Sequence, residues 1–315
     1  MNMRNLNPLI NIPIFMNSWS KLMGRKRVRD NIVGYSFIFP ALFGFLTFIL
    51  LPVVASFVIG FLKWDLLTAP EWAGIDNYIN LFKDEVFLIS FKNTVLWVVY
   101  YVPASIALSL ILALAMNLPL RGIAFFRALI YIPVISPLLA VALLFVWLYN
   151  GDFGLINLML SKIGIAPVEW LTDEQLALPS IALMAIWKNA GWNMLIFLAA
   201  LQGIPQHLYE SAELDGATNW RRFWNITFPL LSPATFFIVV ISIIGAFQVF
   251  GEIYIMTSGG PGYSTHTLSY YLWSSAFQYN KMGYAGAISM IMFLLILIVT
   301  LIQNRIFGRR VQYDL

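Results

Sequence analysis

Residues 204–233, IPQHLYESAELDGATNWRRFWNITFPLLSP, decide how the rest of the chain is read. They carry Glu210, Glu213, Asp215, Arg221 and Arg222 between two apolar runs, the longest polar interruption in the C-terminal half. The punctuation spells helix, turn, helix. Pro205 suits a first helical position, where a missing N–H costs nothing. Gly216 suits the left-handed residue that ends a helix, and Thr218 or Asn219 suits the cap of the next. Trp220, Phe223, Trp224 and Thr227 then recur at helical spacing, with Arg221, Arg222 and Asn225 turned elsewhere. Pro229 and Pro233 stop the second helix before the next apolar run. On physics alone this is a well-capped connector that fixes the angle between two short helices.

Outward from that connector the chain is overwhelmingly apolar. Of its 315 residues 60% are hydrophobic and only 11% charged, where a soluble domain carries about 25% charged residues. Its mean hydropathy is +0.78. Such a chain has too little polar surface to stay in water, and six apolar segments lie near the ~20 residues that span a bilayer as helix. They cover residues 35–62, 94–116, 128–149, 179–201, 234–256 and 285–306. The expected fold is therefore an all-α membrane protein with six transmembrane helices, because lipid offers unpaired backbone groups no partners. Pro40, Pro52, Pro103, Pro133 and Pro137 are expected to kink these helices rather than end them.

Basic residues orient the spans. With the N-terminus inside, thirteen of the nineteen Lys and Arg are cytoplasmic, including Arg25, Lys26, Arg27, Arg121, Arg127, Arg221, Arg222, Arg305, Arg309 and Arg310. Only Lys63, Lys83, Lys92, Lys162 and Lys281 fall outside, together with nine of the fifteen acids. Both termini are then cytoplasmic, and so is the connector with Glu210. Residues 1–30 read as a cytoplasmic leader, with a surface-lying amphipathic part near residues 9–16 or plain disorder. The charges follow the apolar patch, the reverse of a signal peptide. Residues 31–310 form one six-helix membrane domain, and 311–315 a short tail. Residues 63–92 hold aromatics suited to the headgroup level, and 150–178 a small surface helix or turn.

Several function classes are excluded. Without cysteine there are no disulfides, thiolate zinc sites or cysteine nucleophiles, and His207 and His266 lie too far apart in sequence to suggest a metal site. No G-x-x-x-x-G-K-[ST] loop is present, so any ATP must be bound by another polypeptide. H-E-x-x-H and G-x-S-x-G are also missing. The net charge of +4 follows from where the basic residues sit and is no nucleic-acid signal.

Polar residues inside spans are the functional candidates. Lys188, Asn189 and Asn193 interrupt the fourth span beside Trp187, Gly191 and Trp192. Positions 185, 188, 189 and 192 share a helical face, so Lys188, Asn189 and Trp192 either line a pathway or make a structural contact between helices. Amide, ammonium and indole together suit a sugar, and Lys188 would suit an anionic one. Gln248 and Glu252 stand i, i+4 in the fifth span. Glu252 is either simply exposed near the outer end or paired with Lys188, which would suit an ion-coupled secondary transporter.

Glu210-Ser211-Ala212, Asp215-Gly216-Ala217, Phe223, Ile226, Pro229 and Pro233 resemble the EAA loop of ABC-importer permeases, with Ser211 where alanine is usual. Thr257-Ser258-Gly259-Gly260-Pro261 resembles the T-x-G-G-P motif of the sugar-type members. Gly283-Tyr284-Ala285-Gly286-Ala287 and residues 72–94 look similar to the same group. The likeness covers about residues 30–310 and points to carbohydrate-uptake permeases of the maltose and glycerol-3-phosphate kind. It implies a type I importer fold with a cytoplasmic EAA coupling helix-turn-helix, and a transport subunit rather than an enzyme, in a bacterial inner membrane. The implied partners are a second homologous permease, two ATPase subunits that bind ATP and Mg, an extracytoplasmic sugar-binding protein and membrane lipid. Glu210, Ala212, Asp215, Gly216 and Ala217 would couple to the ATPase. The family's sugar-contacting face would fall on Ala185, Lys188, Asn189 and Trp192, with Asn193, Gln248 and Glu252 as further pathway candidates.

Overall fold

The computed structural model describes residues 30–307, and the leader (but for Asp30) and the tail 311–315 lie outside them. The chain divides into two units, Met1–Ser56 and Phe57–Leu315. The first consists, in its described part, of most of helix α1 (Asp30–Ile59), whose apolar residues are exposed. Such surface has to be covered by lipid or protein. A π-helical turn over Leu46–Leu50 stands just ahead of Pro52, one of the adjustments by which membrane helices absorb a missing N–H.

The second unit begins with a departure from the all-α expectation. Strand β1 (Leu62–Lys63) pairs antiparallel with β2 (Glu71–Trp72), Leu62 opposite Trp72. Asp65 closes the connection by accepting from the amides of Leu67 (3.0 Å) and Thr68 (2.8 Å) and from the Thr68 hydroxyl (2.8 Å), an Asx-type turn that favours a ribbon over a helix. Helix α2 (Asp76–Leu81) follows. Asp84 then caps α3 (Glu85–Met116) by accepting from the amides of Val86 and Phe87, and α3 runs unbroken through Pro103.

The third expected span is broken. Helices α4 (Ile123–Ile135) and α5 (Leu138–Leu148) meet at 94°. Pro137 pushes the residue before it out of the helical region, and Ser136 is extended at ψ 138°, so the proline ends a helix where the sequence suggested a kink. After α6 (Leu155–Lys162), helix α7 (Ala177–Gln202) packs along α3 in the largest helix–helix interface. Fully buried Ser105, Ser109 and Ala113 bring the two backbones together, and Ser109 Oγ donates to Ala190 O at 2.9 Å.

Helices α8 (Gln206–Leu214) and α9 (Asn219–Leu230) form the expected helix-turn-helix. Pro229 lies inside α9 and Pro233 opens α10 (Ser232–Phe247), so the 62° bend between them falls at Leu231 rather than at either proline. The fifth expected span also breaks: α10 ends at Phe247, and a separate helix, α11 (Gly251–Met256), follows. Helix α12 (Leu268–Trp273), extended by a π-helical turn through Gln278, and α13 (Met282–Phe307) complete the chain. Among the described residues four helices are long and apolar enough to cross a membrane, or up to six if each bent pair counts as one span.

Candidate functional site

A cavity of about 530 Å³ opens where the two broken segments face α3 and α7. Helix α7 lines it with Ala185, Asn189, Trp192 and Asn193, a single face at helical spacing. Helix α3 adds Trp97 and Tyr101, one turn apart and stacked with centroids 5.7 Å apart. The α4 break contributes Val134. The far wall is the end of α10 and the start of α11, with Ser242, Gln248, Phe250 and Glu252. Trp97 is only 2% exposed, and its indole N–H has no partner. A buried donor without an acceptor among the described residues is uncommon.

The break at Gln248–Phe250 frees backbone carbonyls inside the protein, which must be satisfied there. Thr267 Oγ1 donates to Val249 O at 3.1 Å and Ser269 Oγ to Phe247 O at 3.3 Å. The segment that supplies them is anchored to the start of α3. Asn93 Nδ2 donates to Tyr263 O (2.8 Å) and His266 O (3.0 Å), and Leu268 N donates to Thr94 Oγ1 (2.9 Å). Ser90 Oγ uses its one proton on Val86 O at 2.6 Å, so His266 Nδ1–H is the donor in the 2.9 Å contact with Ser90. Burial pushes His266 down to about 4, against the opposing pull of Asp84. Burial works against the Asp84 carboxylate, but hydrogen bonds from Tyr271, Tyr284 and the amides of Val86 and Phe87 outweigh it and hold the carboxyl below its usual range. The Thr257–Pro261 run is thus part of a buried brace rather than a bare loop. The adjacent Asn93-Thr94 and Thr265-His266-Thr267 polar pairs were its only sequence signal.

Of the six pathway candidates, Asn189, Trp192, Asn193, Gln248 and Glu252 line the cavity. Lys188 does not. It is 8% exposed and turned toward α4, where its ammonium donates to Val134 O at 3.4 Å. That carbonyl belongs to the last turn of a helix cut short by Ser136-Pro137, the end where a cation is favourable. No ion pair within 4.0 Å joins Lys188 to Glu252 among the described residues. Gln248 and Glu252 do not share a helix either: the backbone leaves helical geometry between them, with Phe250 at φ −140° and ψ −54°. They meet at the cavity because of that break. Trp97 and Tyr101 escaped the sequence reading, since aromatics in an apolar span carry no sign of the face they occupy. Among the described residues no group of three or more His, Cys, Asp or Glu could hold a metal.

The helix-turn-helix lies apart from this cavity. Pro205 precedes α8 as its cap rather than its first residue. Asp215 ends α8 and Gly216 is left-handed at φ +75°. Ala217 N donates to Ala212 O at 2.9 Å and Gly216 N to Glu213 O at 3.0 Å, the paired bonds of a Schellman turn. Thr218 caps α9 through Arg221 N, and Arg222 pairs with Glu213 at 3.2 Å across the turn. Tyr209 and Thr227 hydroxyls meet at 3.0 Å, while Leu208, Tyr209 and Ile226 pack on the core formed by Phe197, Leu201, Leu231 and Ile238. Glu210, Leu214 and Trp220 stay exposed, the last two at 90% and 70%.

Residues 105–313 match the family described as "Binding-protein-dependent transport system inner membrane component". The chain is 38% identical to a probable ABC transporter permease protein, YesP, of Bacillus subtilis (strain 168), over 91% of this chain and 94% of that protein. It is 36% identical to the lactose transport system permease protein LacF of Rhizobium radiobacter, over 88% of this chain and 94% of LacF. Among solved structures it resembles a chain of the bacterial alginate ABC transporter in complex with alginate pentasaccharide-bound periplasmic protein. The TM-score is 0.81 at 25% identity, covering 92% of this chain and 99% of that one.

Proposed function

This chain belongs to the family of binding-protein-dependent transport system inner membrane components, and from that premise we propose that it is the permease subunit of an ATP-driven importer of sugars or oligosaccharides. The observation that carries the sugar reading is the cavity: two tryptophans, a tyrosine and three side-chain amides converge there. Aromatic faces suit the C–H face of a sugar ring, and amides suit its hydroxyls. The relatives named for lactose and alginate transport support the same class.

In this reading six spans, two of them bent, form half of a path whose other half comes from a second, related permease. Both termini are cytoplasmic, as the distribution of Lys and Arg supports. A substrate-loaded extracytoplasmic binding protein delivers the sugar, and two ATPase subunits bind ATP and Mg. The chain itself carries no chemistry. The α8–α9 pair is the EAA coupling element. Its Schellman turn, the Glu213–Arg222 pair and the Tyr209–Thr227 contact make it rigid, and exposed Leu214 and Trp220 give an ATPase an apolar surface with Glu210 beside it. Helix α8 follows α7 after only three residues, 203–205, so a push on the pair is passed to the helix bearing Asn189 and Trp192. An ion-coupled carrier relaying through Lys188 and Glu252 is not favoured, because Lys188 is engaged with Val134 O.

Affinity purification of the chain from its native membrane, with mass spectrometry of what co-elutes, tests this. A second permease, an ATPase and a binding protein are expected. A chain that runs alone and still transports would overturn it.

A further inference from the structure

The cavity wall contains one ionisable acid, Glu252, and no cation. Lys188, on the same helical face as Ala185 and Trp192, is not part of this wall: its ammonium donates to Val134 O. It is 8% exposed and does not line the open space. The remaining polar groups, Asn189, Asn193, Ser242, Gln248, Tyr101 and the unpartnered Trp97 N–H, are all neutral.

From this we infer that the path through this subunit is built for uncharged saccharides, and that Glu252 rejects uronates and sugar phosphates. The inference rests on the cavity being the sugar path proposed above. A carboxylate or phosphate entering a partly dehydrated cavity loses its water and needs a cation or several charge-assisted donors in exchange. None is offered here, and the Glu252 carboxylate adds a negative charge that repels an entering anion. An uncharged ring loses little on entry, and the amides of Asn189, Asn193 and Gln248 meet its hydroxyls. The chain would then differ in substrate charge from its structural relative, whose cargo is alginate.

The test gives cells that express the complete transporter, and cells lacking it, one medium holding both neutral and acidic oligosaccharides, released from starch and arabinan and from pectin and alginate. Mass spectrometry of the spent medium reads which species disappear. Depletion confined to neutral species is expected. In the Glu252→Gln variant the ratio of acidic to neutral uptake should rise about tenfold, a modest figure for one charge at close range. Acidic species depleted as fast as neutral ones by the wild type would overturn the inference. So would a variant that loses both in parallel, which would make Glu252 structural. Depletion of no oligosaccharide at all, with the ATPase still co-purifying, would remove the sugar reading itself and this inference with it.

Discussion

Gly191 is the tightest point between α7 and the broken third segment. A Cβ at this position would lie 2.6 Å from Ile130 O and 3.0 Å from Val134 Cγ2. Carbon and carbonyl oxygen settle at about 3.3–3.6 Å, so Gly191→Ala must move α4 by about 0.7 Å. The obstacle is a backbone carbonyl inside a helix, which cannot rotate away as a side chain can. Overpacking of this kind costs about 1–3 kcal/mol. The same shift stretches the Lys188–Val134 contact, already 3.4 Å long, beyond hydrogen-bonding range, which adds about 1 kcal/mol. Alanine's better helix propensity returns about 1 kcal/mol, leaving a net loss of about 1–3 kcal/mol. Gly44→Ala in α1 is the internal control, because a Cβ there meets nothing within 4 Å and only the propensity gain remains. Thermal unfolding of the purified protein, followed by tryptophan fluorescence, should show Gly191→Ala melting at least about 2 °C below wild type, with Gly44→Ala level or higher. Equal midpoints for the two variants would refute the close approach of α7 and α4.

Two further outcomes follow from the coupling element and the outer brace. Glu210→Lys should leave the protein inserted and folded, since the exposed Glu210 side chain bonds to none of the described residues, but abolish co-purification of the ATPase and uptake together; a variant that keeps normal uptake would remove the coupling role. His266 sits near 4 against 6.5 for the free ring, so between those values the unfolded chain takes up a proton that the folded brace refuses. Stability is therefore full above pH 6.5 and falls as the pH drops toward 4. Midpoints measured at pH 7, 5.5 and 4.5 should fall less steeply in His266→Gln than in the wild type, and parallel slopes would contradict the buried neutral ring.

Local chemistry in the sequence reached some features and missed others. Gly216, Thr218 and the Asp215 turn were legible because a left-handed residue and a hydroxyl cap are decided within a few residues of chain. That the chain is mostly apolar helix was legible because apolar length depends on nothing outside the segment, but which segments run unbroken was not. For Lys188 the choice between a pathway and a contact between helices stayed open for the opposite reason. Helix α7 is apolar on most sides, so its own pattern does not say which side meets a cavity, and the carbonyl that holds the ammonium is 54 residues away. The break after Phe247 was hidden too. No proline marks it, and the hydroxyls that make it tolerable, on Thr267 and Ser269, lie in a segment that reads by composition as a turn. Pro137 announced a disturbance but not its size, because a kink and a 94° corner begin with the same missing N–H.

The brace around Thr267 divides labour in a way that bears on how specificity can change. The discontinuity beside the cavity is held by residues that never face it: Thr267, Ser269, Asn93 and Thr94 satisfy the interrupted backbone from outside. The side chains of the inward-facing Trp192, Gln248 and Glu252 make no hydrogen bond or ion pair with another described residue. Those three can therefore be exchanged for other shapes and charges without first repairing the architecture, so the lining of the cavity can change by single substitutions while the frame behind it stays constant.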